Sequence, residues 1–487
     1  TRYAEKNIIA DNNNFIGGGF AVNSESKHNQ YEDTINIIAG NNNFIGRDMV
    51  DEYNNTYTTG TGIRLQEVKN VKVNVESING ETTIDADGTG ININGKGENI
   101  AVTVKAGTDI KINAGNNGIS VGNSDKDVTN DDTKVELIAE NGNIKVITNY
   151  SSPYSFGHGI HTGQGKVTLN AINNTVGLFK GRQSNEEGAI RTLEGGNVLL
   201  EADRTNTILA NSTEITKLAE DDVFGDKYAI NADREGTVDI KADVANNIIG
   251  AVYAKDNETA VNIQNLNKNA TVANYIASST VIHRAGDLDG KETIENPNGE
   301  IEVTGMDVIS ALYAQEGAKI NLSGVNNILT YYDDPSDEHT SERAVWAYKG
   351  ADITIEGNTV ISTSSYESSP NDMDIAIAAG TSTNINDPID MANVNLKYEN
   401  YNGAKSFIQG DILAAYRGEV NIAPNTANTR AVSDAGINIT GNLLAGNDGK
   451  LDVDLGNGGI LVGRADDYGD AALNNGHGSG DKENGFL

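Results

Sequence analysis

Apolar and polar residues alternate in short runs along most of the chain, as in Val71-Lys72-Val73-Asn74-Val75 and Ile110-Lys111-Ile112-Asn113. A period of two with polar partners predicts strands that bury one face only. The runs also recur. The stretch 7–17, NIIADNNNFIG, returns 29 residues later as 36–46, NIIAGNNNFIG. A Gly-Ile pair repeats at Gly62-Ile63, Gly90-Ile91, Gly118-Ile119 and Gly159-Ile160, the first three 28 residues apart. Such a period gives one supersecondary unit per copy, and units of this size bury their apolar face only by stacking on neighbours.

From residue 165 each unit reads as three strands. The first is G-x-V-x-[LI], at Gly165-Lys166-Val167-Thr168-Leu169 and again from Gly196 and Gly236, with variants at Lys319-Ile320-Asn321-Leu322 and Asp352-Ile353-Thr354-Ile355. The second opens on paired asparagines, Asn173-Asn174, Asn246-Asn247 and Asn326-Asn327, and the opening repeat carries the same signature from Asn13 and from Asn42. The third is [GA]-φ-x-[AT] with φ apolar, as in Gly159-Ile160-His161-Thr162, Ala251-Val252-Tyr253-Ala254 and Ala344-Val345-Trp346-Ala347.

The predicted fold class is all-β, a right-handed parallel β-helix with three strands per coil. About fifteen coils, stacked ~4.8 Å apart, would make a rod of ~70 Å. Equivalence of Gly196 and Gly236 sets Val198 beside Val238, Glu201 beside Lys241 and Asp203 beside Asp243. The corner asparagines suit either an inward amide ladder or a left-handed turn. One domain is expected over 1–472. The stretch 473–487, where alternation gives way to Gly, Asn and charge, reads as a linker.

Composition narrows the function. With a formal net charge of −33, the chain repels nucleic-acid phosphates and anionic lipid headgroups, so neither nucleic-acid binding nor membrane contact by this segment is expected. The absence of cysteine from 487 residues favours export. The chain starts at Thr1 without a signal peptide, and no run approaches the ~20 apolar residues of a membrane helix. A mature or excised segment is expected, with any anchor outside it.

Enzyme templates fail one by one. No Gly-Lys pair is followed by Ser or Thr, as a phosphate-binding loop requires. Gly118-Ile119-Ser120-Val121-Gly122 spells a G-x-S-x-G serine elbow, but on a recurring strand rather than a strand-to-helix turn. His158 and His161, three apart on a strand, should face opposite sides and share no metal. Asp85-Ala86-Asp87-Gly88 and the stretch 446–452 resemble calcium loops without their remaining ligands. Neither a cofactor nor enzymatic activity is expected; calcium remains an option without a specific motif.

Insertions fall repeatedly between second and third strands, at 150–158, 181–188, 331–343 and 363–374, and stacked coils would project them from one edge. The variable position of the third strand points outward and carries His161, Arg191, Tyr253, Tyr313 and Trp346. A column of aromatics can stack on sugars, fill a partner's pocket or pack beneath neighbouring loops. The candidate binding residues are Tyr253, Tyr313 and Trp346, with Tyr331, Tyr332, Asp333 and Asp334 of the insertion.

The G-x-V-x-[LI] strands, the A-φ-Y-A strands at 251–254 and 311–314 and the Asn-rich corners together resemble passenger regions of bacterial autotransporters, the type V secreted proteins. That resemblance implies a β-helical passenger carried to the bacterial cell surface by an outer-membrane barrel and acting in adhesion, self-association or biofilm formation. The chain departs from the pattern in lacking the barrel and the G-D-S-G protease motif, and His283-Arg284-Ala285-Gly286-Asp287 interrupts an R-G-D triplet. The expected function is a surface adhesin whose partner is a host surface protein, a glycan or another passenger. The rival is a secreted polysaccharide lyase or hydrolase on the same scaffold, and a third reading is an inert spacer.

Overall fold

A computed structural model of the chain describes residues 4–25, 33–50, 56–58, 60–66, 68–94, 99–122, 133–150, 157–180, 188–211, 228–266, 274–280, 291–296, 299–304, 310–332, 343–365, 375–380, 391–400, 405–426, 436–446 and 448–467. They fall into two compact units. One holds the chain up to Asn246 apart from Tyr228, the other Tyr228 and the chain from Asn247 onward.

In the first unit every coil supplies a strand to each of three parallel stacks. Asp33–Ala39, Val71–Ser77, Ala101–Ala106 and Lys134–Ala139 are first strands. Asn12–Gly18, Asn41–Arg47, Thr82–Ala86 and Ile110–Ala114 are second strands. Thr61–Gln66, Thr89–Asn94, Asn117–Val121 and His158–Thr162 are third strands. Lys166–Lys180 and Asn197–Asn211 run through the first corner without a break. The second unit repeats the plan, with first strands such as Lys319–Ser323 and Asp352–Gly357, second strands such as Asn326–Tyr332 and Thr359–Ser365, and third strands such as Leu312–Gln315 and Arg343–Tyr348. The fold is an all-β parallel β-helix with three strands per coil.

Alternation in the sequence becomes columns in space. Val73, Val102, Val135, Val167, Val198 and Val238 are successive register partners and all are fully buried. Val198 does sit beside Val238, and Glu201 beside Lys241, with Lys241 Nζ 3.5 Å from Glu201 Oε1 on the outer face.

The corner asparagines form the inward ladder. Asn174 Nδ2 donates to Asn206 Oδ1 and Asn206 Nδ2 to Asn246 Oδ1, each at 2.9 Å. The same two amides also donate to the carbonyls of Glu201 and Lys241. The second unit has its own rungs, Asn274 to Asn326 at 2.8 Å and Asn326 to Thr359 at 3.2 Å. All these asparagines are buried and none has a positive φ, so the turn alternative falls away.

The opening repeat needs a correction of one residue. Register partners run Asn42, Thr82, Ile110, Ile144, Asn174, so Asn41-Asn42, not Asn42-Asn43, matches Asn173-Asn174. Three asparagines in a row fit the pattern in either frame. The choice is made by Phe44, which is fully buried and stacks on Phe15 with ring centroids 5.0 Å apart.

Insertions between second and third strands leave and re-enter each unit at shared register positions, whereas 123–132 and 381–390 fall between third and first strands and 427–435 between first and second. In the first unit, Tyr150 pairs with Lys180 where two insertions depart, and His158 with Gly188 where they return. In the second, departures follow Thr280, Tyr332 and Ser365, which share a column, and returns at Arg343 and Ile375 share another. The stretch 281–309 carries an antiparallel hairpin of its own, Lys291–Asn296 with Gly299–Thr304. The predicted linker 473–487 and the interrupted triplet at 283–287 lie outside the described residues.

Candidate functional site

The third strand bends at its [GA]-φ pair, and this bend builds the site. Gly159 and Ile160 both face the core: a Cβ on Gly159 would lie 2.6 Å from Val176 Cγ1, and Ile160 is fully buried. Two successive inward residues throw the flanking pair to the same outer side. His158 and His161 therefore stack, ring centroids 5.0 Å apart, contrary to the expectation that they face opposite ways. A regular strand would have separated them; the bend consumes one residue of the alternation.

Burial holds the His158 pKa well below its ordinary value, with the charges of His161 and Arg191 adding to the effect, while its Nδ1 lies 3.2 Å from Gly188 O. Burial, then Arg191, brings His161 down to about 4. Both rings are neutral at pH 7. Among the described residues no group of three or more His, Asp or Glu side chains is placed to hold a metal ion.

In the second unit the same bend carries Arg343-Ala344-Val345-Trp346. Ala344 and Val345 are fully buried, and the Arg343 guanidinium lies 3.9 Å from the centroid of Trp346. Tyr253, Tyr313 and Trp346 are register partners in one outer column, as the sequence predicts. Tyr228 joins them, 5.1 Å from Tyr253, followed by spacings of 5.4 Å to Tyr313 and 4.6 Å to Trp346. Beyond Trp346 the column continues as Ala378, Leu413 and Leu444, buried in a cluster with Ile375, Ala415 and Tyr416.

This packing decides what the rings can offer. Tyr253 lies between Tyr228 and Tyr313, and Tyr313 between Tyr253 and Trp346; Trp346 has Tyr313 against one face, and Arg343 closes over the ring as well. A sugar that stacks on an aromatic needs an open face. The column instead presents edges: Tyr313 Oη donates to Gln315 Oε1 at 3.0 Å, and Gln315 Nε2 donates to Tyr253 Oη. Burial, then the Tyr253 hydroxyl, pushes the Tyr313 pKa up, so this edge stays an uncharged donor and acceptor. Tyr348 tilts against Trp346 at 5.3 Å, and Lys349 Nζ lies 5.3 Å from the Tyr348 ring. Glu316 is shared by Lys255 at 3.7 Å and Lys349 at 3.9 Å.

Tyr331 and Tyr332 pair through their backbones with Ser364 and Ser365. Their side chains, and Asp333 and Asp334 entirely, lie outside the described residues. Sequence reasoning missed Tyr228, Arg343, Gln315 and Tyr348. The signal was available at Arg343, the residue just before the Ala-Val pair, once the bend is known.

Other motifs are absorbed by the fold. Ser120 of the G-x-S-x-G string lies mid-strand beside His161, with no hydrogen bond between them. Asp87 accepts from Arg47 at 2.8 Å and Asp85 from Asn113 at 2.8 Å. Asp203 and Asp243 follow the paired Ala202 and Ala242 and are exposed. A cleft of about 270 Å³ at the corner between first and second strands is lined by Gln264, Ser323, Gly357, Glu399 and Asn425 among others. Glu399 there accepts from Asn425 at 2.7 Å, and neighbouring Glu356 pairs with Lys397 at 2.7 Å. The chain matches no protein-family model, no curated protein and no solved structure.

Proposed function

We propose that this chain is the recognition segment of a bacterial surface adhesin, binding a host surface protein or glycan, or another copy of itself, outside the cell. One observation carries the reading. In each unit, insertions that follow second strands open at a shared register position in successive coils, and in the second unit they return beside the Tyr253, Tyr313 and Trp346 column. A rigid scaffold that gathers variable segments along one edge is the usual arrangement for recognition. The net charge of −33 suits a long body that must stay soluble.

The test replaces 333–342 with a short Gly-Ser linker and compares both proteins in bead aggregation and on a panel of matrix proteins and glycans. Loss of aggregation or of a panel signal is expected. Unchanged behaviour after every insertion at this corner has been trimmed would make the chain a spacer, and release of new sugar ends from the glycans would make it an enzyme.

A further inference from the structure

The second unit buries a cation to which the described residues offer no counter-ion. Arg343 is 7% exposed, its Nε donates to no acceptor, and no described carboxylate forms an ion pair with it. What surrounds it is aromatic: the Trp346 ring at 3.9 Å, with Tyr313 and Tyr348 close by. Burial lowers its pKa to about 10, which leaves it charged at neutral pH. Holding a desolvated guanidinium without a counter-ion costs more than contact with one aromatic face returns.

The surroundings deepen the anomaly. Lys255 and Lys349 share a single carboxylate, Glu316, while among the described residues no ion pair reaches Arg343. The chain as a whole carries −33. Beside this positive spot runs the Tyr253, Gln315 and Tyr313 edge, which alternates hydroxyl and carboxamide groups.

We propose that Arg343 receives the carboxylate of an acidic sugar, a uronic or sialic acid residue, whose hydroxyls run along the Tyr253, Gln315 and Tyr313 edge, with Lys349, set against Tyr348 on the same strand, adding positive charge. This deepens the adhesin reading and rests on it. The guanidinium fork matches a planar carboxylate with two parallel hydrogen bonds. The edge supplies donors and acceptors at the spacing of stacked coils, which suits a polyol. A single carboxylate on an otherwise neutral sugar reaches the positive spot without bringing further charge against an acidic body, whereas a run of Asp and Glu in a peptide would be repelled.

Trp346 is the only tryptophan in the chain, so its emission reports this site directly. The full chain is titrated with oligosaccharides ending in galacturonic, glucuronic or N-acetylneuraminic acid, with their methyl esters, and with a glutamate-rich peptide. At least one acid is expected to change the emission saturably and to bind more weakly as salt rises. Its methyl ester and the Arg343→Gln protein should each bind about tenfold or more weakly, with Arg343→Lys intermediate because an ammonium lacks the fork. If Arg343→Gln fails to fold, Lys349→Glu must still weaken binding of the acid.

Equal affinity for acid and ester, an unchanged response in the folded Arg343→Gln protein, or tighter binding of the peptide would each overturn the proposal. If no acidic sugar alters Trp346 emission while adhesion still depends on 333–342, this inference fails alone. If adhesion depends on neither, the adhesin reading fails as well.

Discussion

Asn206 stands between Asn174 and Asn246 with its side-chain amide bonded to both, at 2.9 Å on each side. It also donates to Lys241 O, so one buried side chain joins three coils. Asn206→Ala should cost about 2–4 kcal/mol, because it removes three hydrogen bonds as well as opening a cavity. Amide exchange in 197–211 and in 237–242 should accelerate together. A cost below about 0.5 kcal/mol would mean that water replaces the ladder freely.

The ladder stops on the other side of Asn174. Its Oδ1 has no donor, and the register partner of Asn174 is Ile144. Ile144→Asn places a donor beneath a waiting acceptor, whereas Ile112→Asn puts a carboxamide among apolar core residues. Both lose burial, but Ile144→Asn should be milder by about 1 kcal/mol or more, read from denaturant midpoints. Equal costs would remove the claim that Asn174 lacks a partner it can use.

The His158 and His161 pair gives the fold a pH dependence of definite sign. Both rings hold a proton less tightly here than at their ordinary value of 6.5, through burial first, then for His158 the charges of His161 and Arg191 and for His161 that of Arg191. The stability tied to them is complete above pH 6.5 and declines as pH falls towards 4, since the unfolded chain takes up protons that the fold resists. The loss should be on the order of 2 kcal/mol. A His158→Gln, His161→Gln protein should flatten that part of the pH profile; an unaltered slope would assign it to carboxylates elsewhere.

Surface ion pairs should matter far less. Lys241 and Glu201 are 3.5 Å apart with side chains 40% and 41% exposed. Lys241→Ala should change stability by less than about 0.5 kcal/mol, and added salt should hide even that. A larger effect would show that outer columns are coupled along the stack.

Gly357 provides a steric test. Its φ is 114°, and a Cβ there would fall 1.8 Å from Gly324 O in the neighbouring coil. Gly195, with φ 80°, has nothing within 4 Å of such a Cβ. Gly195→Ala should cost about 1–2 kcal/mol from backbone conformation alone. Gly357→Ala should cost distinctly more and disturb the cleft between Ser323 and Glu399. Similar costs would mean that the two coils can slide apart.

Much of this architecture is legible in the letters because its repeats are spatial neighbours. The spacing of Val198 and Val238, the pairing of Glu201 with Lys241 and the Tyr253, Tyr313, Trp346 column all follow from aligning one motif on the next. What fails is whatever depends on less than a whole repeat. The run Asn41-Asn42-Asn43 permits two frames, and only the inward turn of Phe44 selects one. His158 and His161 meet because of a bend that strict alternation does not contain. The stacking of Tyr313 on Trp346 turns apparent ligand platforms into a packed spine, and Arg343 stands out as a candidate only once its neighbours are known.

The corner where insertions depart has an evolutionary corollary. Departure and return points are held by strands above and below, through pairs such as Tyr332 with Ser365 and Arg343 with Ile375. The gap a segment must bridge is thereby constant, and the closure entropy of a longer segment grows only slowly with its length. Such a scaffold lets lineages exchange or lengthen the variable segments without renegotiating the frame that displays them.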